Sequence, residues 1–410
     1  MIYLNRKKEF FVKIKWKGKN NTAIINIFFY FLFVIVYFYV LVRYGMGTTQ
    51  GNIRYILLLI AIVFAFLSIF FKYKKDQINK LYGKKLLFII PLCFVIVVYS
   101  FFKAKNIGYN FSYRTLVQTS LILFPSLYVF CFINLFSTKS IVNMMKVTTV
   151  ILILAYFFEG GHGIFDFFNI SNWSSLSFKY SFLESNICSG PFIYLFLLFN
   201  YFVESKEYDF DKKRLNIYRI VTLIFSILCF KRLGMLFVIV MFFINRFVNW
   251  DKKISNKIFI IVGILFAVVT VLYTKFMEGT LLPQINVYQI TTGRNYILSL
   301  WKNAEYLSYG YGTSMLVIGR YLEMDLVQMY LEMGFLITLL FCLSFFKIAQ
   351  NKLYSLVIMT YAFLGLLTAS MFPSILSTIL LLINISIVSS NKIKDEIYTQ
   401  DLEKKTYINK

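Results

Sequence analysis

The feature that most limits what this chain can fold into is a succession of about twelve apolar runs. They cover residues 24–42, 53–71, 86–102, 115–136, 141–158, 187–203, 215–230, 233–248, 257–274, 326–346, 353–369 and 372–390. A helix rises 1.5 Å per residue, so runs of roughly 17–20 residues match the hydrocarbon thickness of a bilayer. A large soluble core is excluded by composition. The chain is 59% hydrophobic and 15% charged, against roughly 45–50% and about 25% in soluble domains. The expected fold is all-α: a polytopic membrane protein with about 12 transmembrane helices, forming one helical domain over 1–410. Pro91, Pro125, Pro191 and Pro373 fall within or beside runs, where membrane helices tolerate kinks.

The net charge of +24 would suggest nucleic acid in a soluble chain, but the basic residues gather in short segments between runs. Assigned to alternate sides, they split 30 to 12, with Lys146 inside the fifth run. The positive-inside rule then puts both termini, 1–23 and 391–410, in the cytoplasm. The two longest loops, about 159–186 and 275–325, face outward, the second ahead of the tenth helix. The basic N-terminal stretch enters the first run without a small-residue cleavage site, so that run reads as a span. Cys93, Cys131, Cys188, Cys229 and Cys342 lie in or beside apolar runs without a C-x-x-C pair, as core residues do.

Chemistry is left to the outer segments, above all Thr291–Gly334, which holds Arg294, Lys302, Glu305, Arg320, Glu323, Asp325 and Glu332. Lys231 and Arg232 form the tip of an outward hairpin, against the charge bias. They either snorkel to lipid phosphates or make a fixed anion site. Arg294 follows Gly293, a turn residue, and a guanidinium can grip phosphate as a two-pronged fork. Glu332 follows Asp325 by two helical turns and is expected roughly 10 Å into its run. It is either a functional carboxylate or one that ties helices together. Glu184 and Asn186 precede the sixth run, where Ser185 or Asn186 suits an N-cap. His162, the single histidine, lies in a Gly-rich loop and reads as solvated sooner than as a general base. No metal cluster, Walker loop, Rossmann fingerprint or Ser-His-Asp pattern is present.

In order and spacing these elements resemble bacterial O-antigen and capsular polysaccharide polymerases of the Wzy type, relatives of the O-antigen ligases. The likeness runs over roughly Ser181–Gly334: Phe182-x-Glu184-x-Asn186, Lys231-Arg232, Thr292-Gly293-Arg294 with Trp301, Gly310-x-Gly312, and Glu332-x-Gly334. Many relatives carry His-Asn shortly before the last element, where this chain has Glu323-Met324-Asp325. A histidine base is absent there, so the proton acceptor is a carboxylate or there is none.

The resemblance implies a metal-independent glycosyltransferase without cofactor, in the bacterial cytoplasmic membrane with its active face outward. It would join undecaprenyl-diphosphate-linked repeat units, with membrane lipid and a chain-length regulator protein as further partners and no nucleic acid. Arg232, Arg294, Glu332, Glu323 and Asp325 would be catalytic. Lys231, Glu184, Asn186, Trp301, Gly310 and Gly312 would bind substrate, Trp301 by stacking on a sugar. A ligase acting on another acceptor and a lipid-linked-oligosaccharide flippase are the alternatives.

This topology predicts that cysteines placed at Tyr309 and Lys231 react with an impermeant maleimide on whole cells. Those at Lys75 and Lys252 should not. Labelling at 75 but not at 309 would invert the orientation.

Overall fold

The computed structural model describes residues 21–45, 53–72, 81–159, 184–185, 187–205, 210–245, 247–281, 287, 293–304, 308–319, 322–372 and 374–390. Helices are α1 (Asn21–Gly45), α2 (Ile53–Lys72), α3 (Ile89–Asn106, entered through a 3-10 turn at Lys84–Phe88), α4 (Tyr113–Leu135) and α5 (Thr138–Phe158). They continue as α6 (Ser189–Glu204), α7 (Lys212–Leu228), α8 (Arg232–Ile244), α9 (Asn256–Met277), α10 (Arg294–Asn303) and α11 (Ser314–Ile318). The last three are α12 (Asp325–Ile348), α13 (Leu353–Thr368) and α14 (Ile375–Ser389). No strand occurs among the described residues.

Every apolar run carries a helix, and seven helices are long and apolar enough to cross a membrane: α1, α2, α3 with its entry turn, α4, α5, α9 and α12. The chain is a multi-pass membrane protein. The other five, α6, α7, α8, α13 and α14, have 13 to 17 residues. Two of these short helices are the best buried. All but three residues of α6 and all but one of α14 are enclosed, because α6 packs on α5, α7, α8 and α14, while α14 also packs on α4 and α13. Helices screened from lipid by neighbours need not match its thickness. The outer helices show the reverse, with Phe70, Phe94, Phe243 and Leu236 mostly exposed, an apolar surface suited to acyl chains.

Polar side chains staple the helices. Asn26 of α1 donates to Ser68 of α2 at 2.7 Å, and Tyr30 meets Thr148 of α5 at 2.9 Å. Asn384 of α14 donates to the Tyr194 carbonyl of α6 at 2.9 Å. Such bonds between membrane helices contribute on average about 0.6 kcal/mol each. All five cysteines are buried free thiols, as expected.

The interior break in the bundle is at a glycine. Pro91 and Pro191 sit in the first turns of α3 and α6, where a missing N–H costs nothing. Pro125 is accommodated inside α4, and Pro373 lies outside the described residues. Gly334, with φ 81° and ψ 175°, instead splits α12 into two stacked pieces. That conformation strains any residue with a side chain.

At the end of the bundle away from the 291–334 segment, Lys352 is 7% exposed. Its ammonium lies 2.8 Å from the Tyr201 hydroxyl and 3.6 Å from Asp251. Asp251 also accepts from Tyr201 at 3.0 Å and Ser205 at 3.0–3.1 Å, tying two interhelical loops to α6. Removing one member of a buried pair typically costs about 3–5 kcal/mol. Asp251→Ala is expected to lower the melting temperature in detergent, and Asp251→Ala with Lys352→Met to recover part of the loss. An unchanged melt of the single variant would show that the loops are held otherwise.

Candidate functional site

The helix starts at the opposite end carry several of the predicted residues, in separate clusters. Arg232 and Arg294 are the first residues of α8 and α10. A helix start carries about half a positive charge and unpaired N–H groups, so arginine there is electrostatically uphill unless an anion answers both. Neither start has a side-chain cap, nor do those of α6, α12 and α14, although Ser112 caps α4. At the far end, Ser137, Asp211 and Ser255 cap α5, α7 and α9.

The Lys231-Arg232 turn is built as expected. Helix α7 ends at Leu228, Phe230 takes a left-handed φ of 54°, and Lys231 precedes α8. The Lys231 ammonium bonds the Glu184 carboxylate. Ser185 donates its backbone N–H to the Cys229 carbonyl at 3.3 Å, and its hydroxyl bonds Glu159. The Cys188 N–H in turn donates to the Ser185 hydroxyl at 2.9 Å. Ser185 therefore anchors the entry to α6 from outside the helix, and the position before α6 belongs to Cys188. Arg232 is exposed, and no described carboxylate pairs with it. Asn186 and His162 lie outside the described residues.

The two buried carboxylates of α12 are both spent on backbone. Asp325 accepts from the Met371 and Phe372 amides at 2.6 and 3.0 Å, pinning the turn between α13 and α14. Glu332, fully buried, accepts from the Gly312 and Ser314 amides at 2.6 and 2.7 Å and from Gln328 at 3.1 Å. Gly310 and Gly312 have φ of 141° and 82°, and a Cβ there would stand 2.9 Å from Ser100 Cβ and 2.4 Å from Gln118 Cγ. These glycines let the turn lie flat on α3 and α4 within reach of Glu332. They shape the turn. Glu332 thus ties α12 to the turn at 310–314. Glu323 is exposed with a left-handed φ of 59° just before α12.

The break at Gly334 leaves the Glu332 carbonyl without a helical partner. It accepts from the Lys103 ammonium at 2.5 Å and the Ser308 hydroxyl at 3.3 Å. The E-x-G element thus opens the second half of a broken helix, not the start of α12. Tyr311 is buried between these groups. Burial, with Asp325 and Glu332 adding to it, holds its hydroxyl well above the ordinary phenol range and so neutral.

Trp301 differs from expectation. It is fully enclosed, packed with Ile297 and Leu322 against Val317, Ile318 and Leu331. Neither ring face is free for a sugar, because the apolar side of α10 needs a core of its own. Arg294, one end of that helix, is half-buried and acts on Tyr273 of α9.

No protein-family model, curated protein or solved structure matches the chain. Sequence reasoning weighed Lys103 and Arg54 only as charges in a topology count. Each is a cation on the side poor in cations, the signal that singled out Lys231 and Arg232.

Replacing Glu332 strands the Gly312 and Ser314 amides, at about 1–3 kcal/mol for each buried unsatisfied group. Glu332→Ala and Glu332→Gln are expected to lower thermal stability and membrane abundance together with activity, glutamine less because its carbonyl still accepts. Normal abundance with activity abolished would make Glu332 a reacting group.

Proposed function

We propose that the protein is a polymerase that joins lipid-diphosphate-linked oligosaccharide repeats at the outer face of the bacterial cytoplasmic membrane. The supporting observation is that Arg232 and Arg294 each open an uncapped helix at the loop-bearing end of an apolar bundle. The order of motifs shared with Wzy-type polymerases adds to it. So does the charge count, which reads the bundle as twelve spans with both termini in the cytoplasm.

In this reading the bond between the anomeric carbon of the growing chain and its lipid diphosphate breaks. A bond to a hydroxyl oxygen of the incoming unit forms. The leaving diphosphate gathers negative charge as it departs, and preorganised guanidinium and amide donors stabilise that charge. Arg232 and Arg294 supply the forks. Lys231, tethered by Glu184, holds the hairpin tip and adds charge. The proton of the attacking hydroxyl passes to Glu323, the exposed carboxylate at the entry to α12. Asp325 and Glu332 keep the surrounding turns in place.

A transport reading draws on one observation, the break of α12 at Gly334 with Lys103 at the freed carbonyl. Transporters commonly build substrate sites from such interrupted helices. Proteoliposomes loaded with lipid-linked repeats separate the two, since a polymerase lengthens the glycan and a transporter only moves it across.

Loss of one transition-state contact of this kind costs about 10²–10³ in rate. Arg232→Ala and Arg294→Ala are each expected to shorten or abolish the polymer ladder at normal protein level. Lysine should restore little, because it lacks the fork. Full-length ladders from both alanine variants would sink the clamp. A parallel fall in abundance would return the arginines to the fold.

A further inference from the structure

Arg54, second residue of α2, is a cation without a counter-ion among the described residues. It is half-buried, its guanidinium carbon 4.9 Å from the centre of the Tyr55 ring and 5.9 Å from that of Tyr37. One terminal nitrogen donates to the Tyr55 hydroxyl at 2.9 Å, while the buried Nε has no hydrogen-bond partner. No described carboxylate pairs with it. An arginine keeps its charge in any protein environment, and an ion left unpaired at the margin of a bilayer is costly.

The groups around it add positive potential and hydroxyls. The Tyr37 hydroxyl meets Ser374 Oγ at 3.1 Å, and Ser374 Oγ meets Ser377 Oγ at 2.6 Å. Ser374 precedes the uncapped start of α14. Ser377 lies against Gly190 in the first turn of α6, where a Cβ would stand 2.5 Å from its hydroxyl. Two helix starts are therefore side by side behind the arginine. Glu159, which acts on Cys188 nearby, is engaged by Ser185.

We propose that Arg54, with Tyr37, Tyr55 and Ser374, binds the phosphate of a lipid headgroup. Resting on the polymerase reading, this is the diphosphate of the incoming lipid-linked unit. The reaction brings two lipid diphosphates to one protein, and they repel each other. Arg232 and Arg294 take the one that leaves, so the second needs a cation of its own. A guanidinium whose buried Nε has no partner lacks an acceptor, and phosphate oxygens are acceptors matched to its planar donor set. The tyrosine rings hold its plane.

The experiment uses the full-length protein in zwitterionic detergent, with binding read by native mass spectrometry. The probes are undecaprenyl diphosphate, phosphatidylglycerol and inorganic pyrophosphate. Arg54→Gln is expected to weaken undecaprenyl diphosphate binding about tenfold or more, as for a lost charged hydrogen bond. Arg54→Lys should recover only part, and Lys105→Gln, an exposed charge in the last turn of α3, should change nothing. Equal loss for pyrophosphate assigns recognition to the phosphates alone. A larger loss for phosphatidylglycerol makes bulk lipid the source and keeps the site. If Arg54→Gln does not fold, Arg54→Lys and Tyr55→Phe decide at unchanged melting temperature. Wild-type affinity of folded Arg54 variants for all three probes overturns the site. A wild-type protein that binds the lipid through Arg54 but makes no polymer removes the polymerase reading and leaves the site standing.

Discussion

The site end of this protein depends on one buried carboxylate. Glu332 holds the 310–314 turn by two short backbone bonds, and two glycines bring that turn close enough to be held. The same stretch contains the break at Gly334, which turns the Glu332 carbonyl toward Lys103 and Ser308. One residue thus secures a loop through its side chain and a helix break through its backbone. In a low-dielectric interior each of these polar groups must be answered, so the pieces are only stable together. Asp325 repeats the device two turns earlier in the same helix, on the turn before α14.

Once the acids are committed to backbone amides, the rest of this end is left positive. Helix starts without side-chain caps and the arginines at positions 54, 232 and 294 belong to this end, where Asp325 and Glu332 are both taken up by backbone amides. At the far end serine and aspartate cap three helices, α3 and α13 start without a side-chain cap, and Asp251 answers Lys352. This asymmetry is a property of the folded chain as well as of its loops. It suits a phosphate-bearing lipid more than a neutral ligand, because uncapped N–H groups and guanidinium forks share the same preference for oxyanions.

The sequence by itself determined where the helices lie, because membrane length and an unbroken apolar run leave an α-helix as the only way to satisfy the backbone. It also determined the buried, unpaired state of the cysteines and the hairpin tip at Lys231-Arg232, where charge interrupts two runs too long to be one. Tertiary structure alone decided what the polar residues do. Asp325 and Glu332 have the composition of catalytic acids, and Trp301 that of a sugar platform, yet all three are buried: Asp325 on the turn at 371–372, Glu332 on that at 312–314 and Trp301 against Leu322. Nor could spacing reveal that α6 and α14 sit at the centre, or that Arg54 stands over their starts beside Tyr37. A run of residues encodes its own helix through local rise and hydrophobicity. Contacts between residues hundreds of positions apart, such as Tyr37 and Ser374, exist only once the bundle has closed.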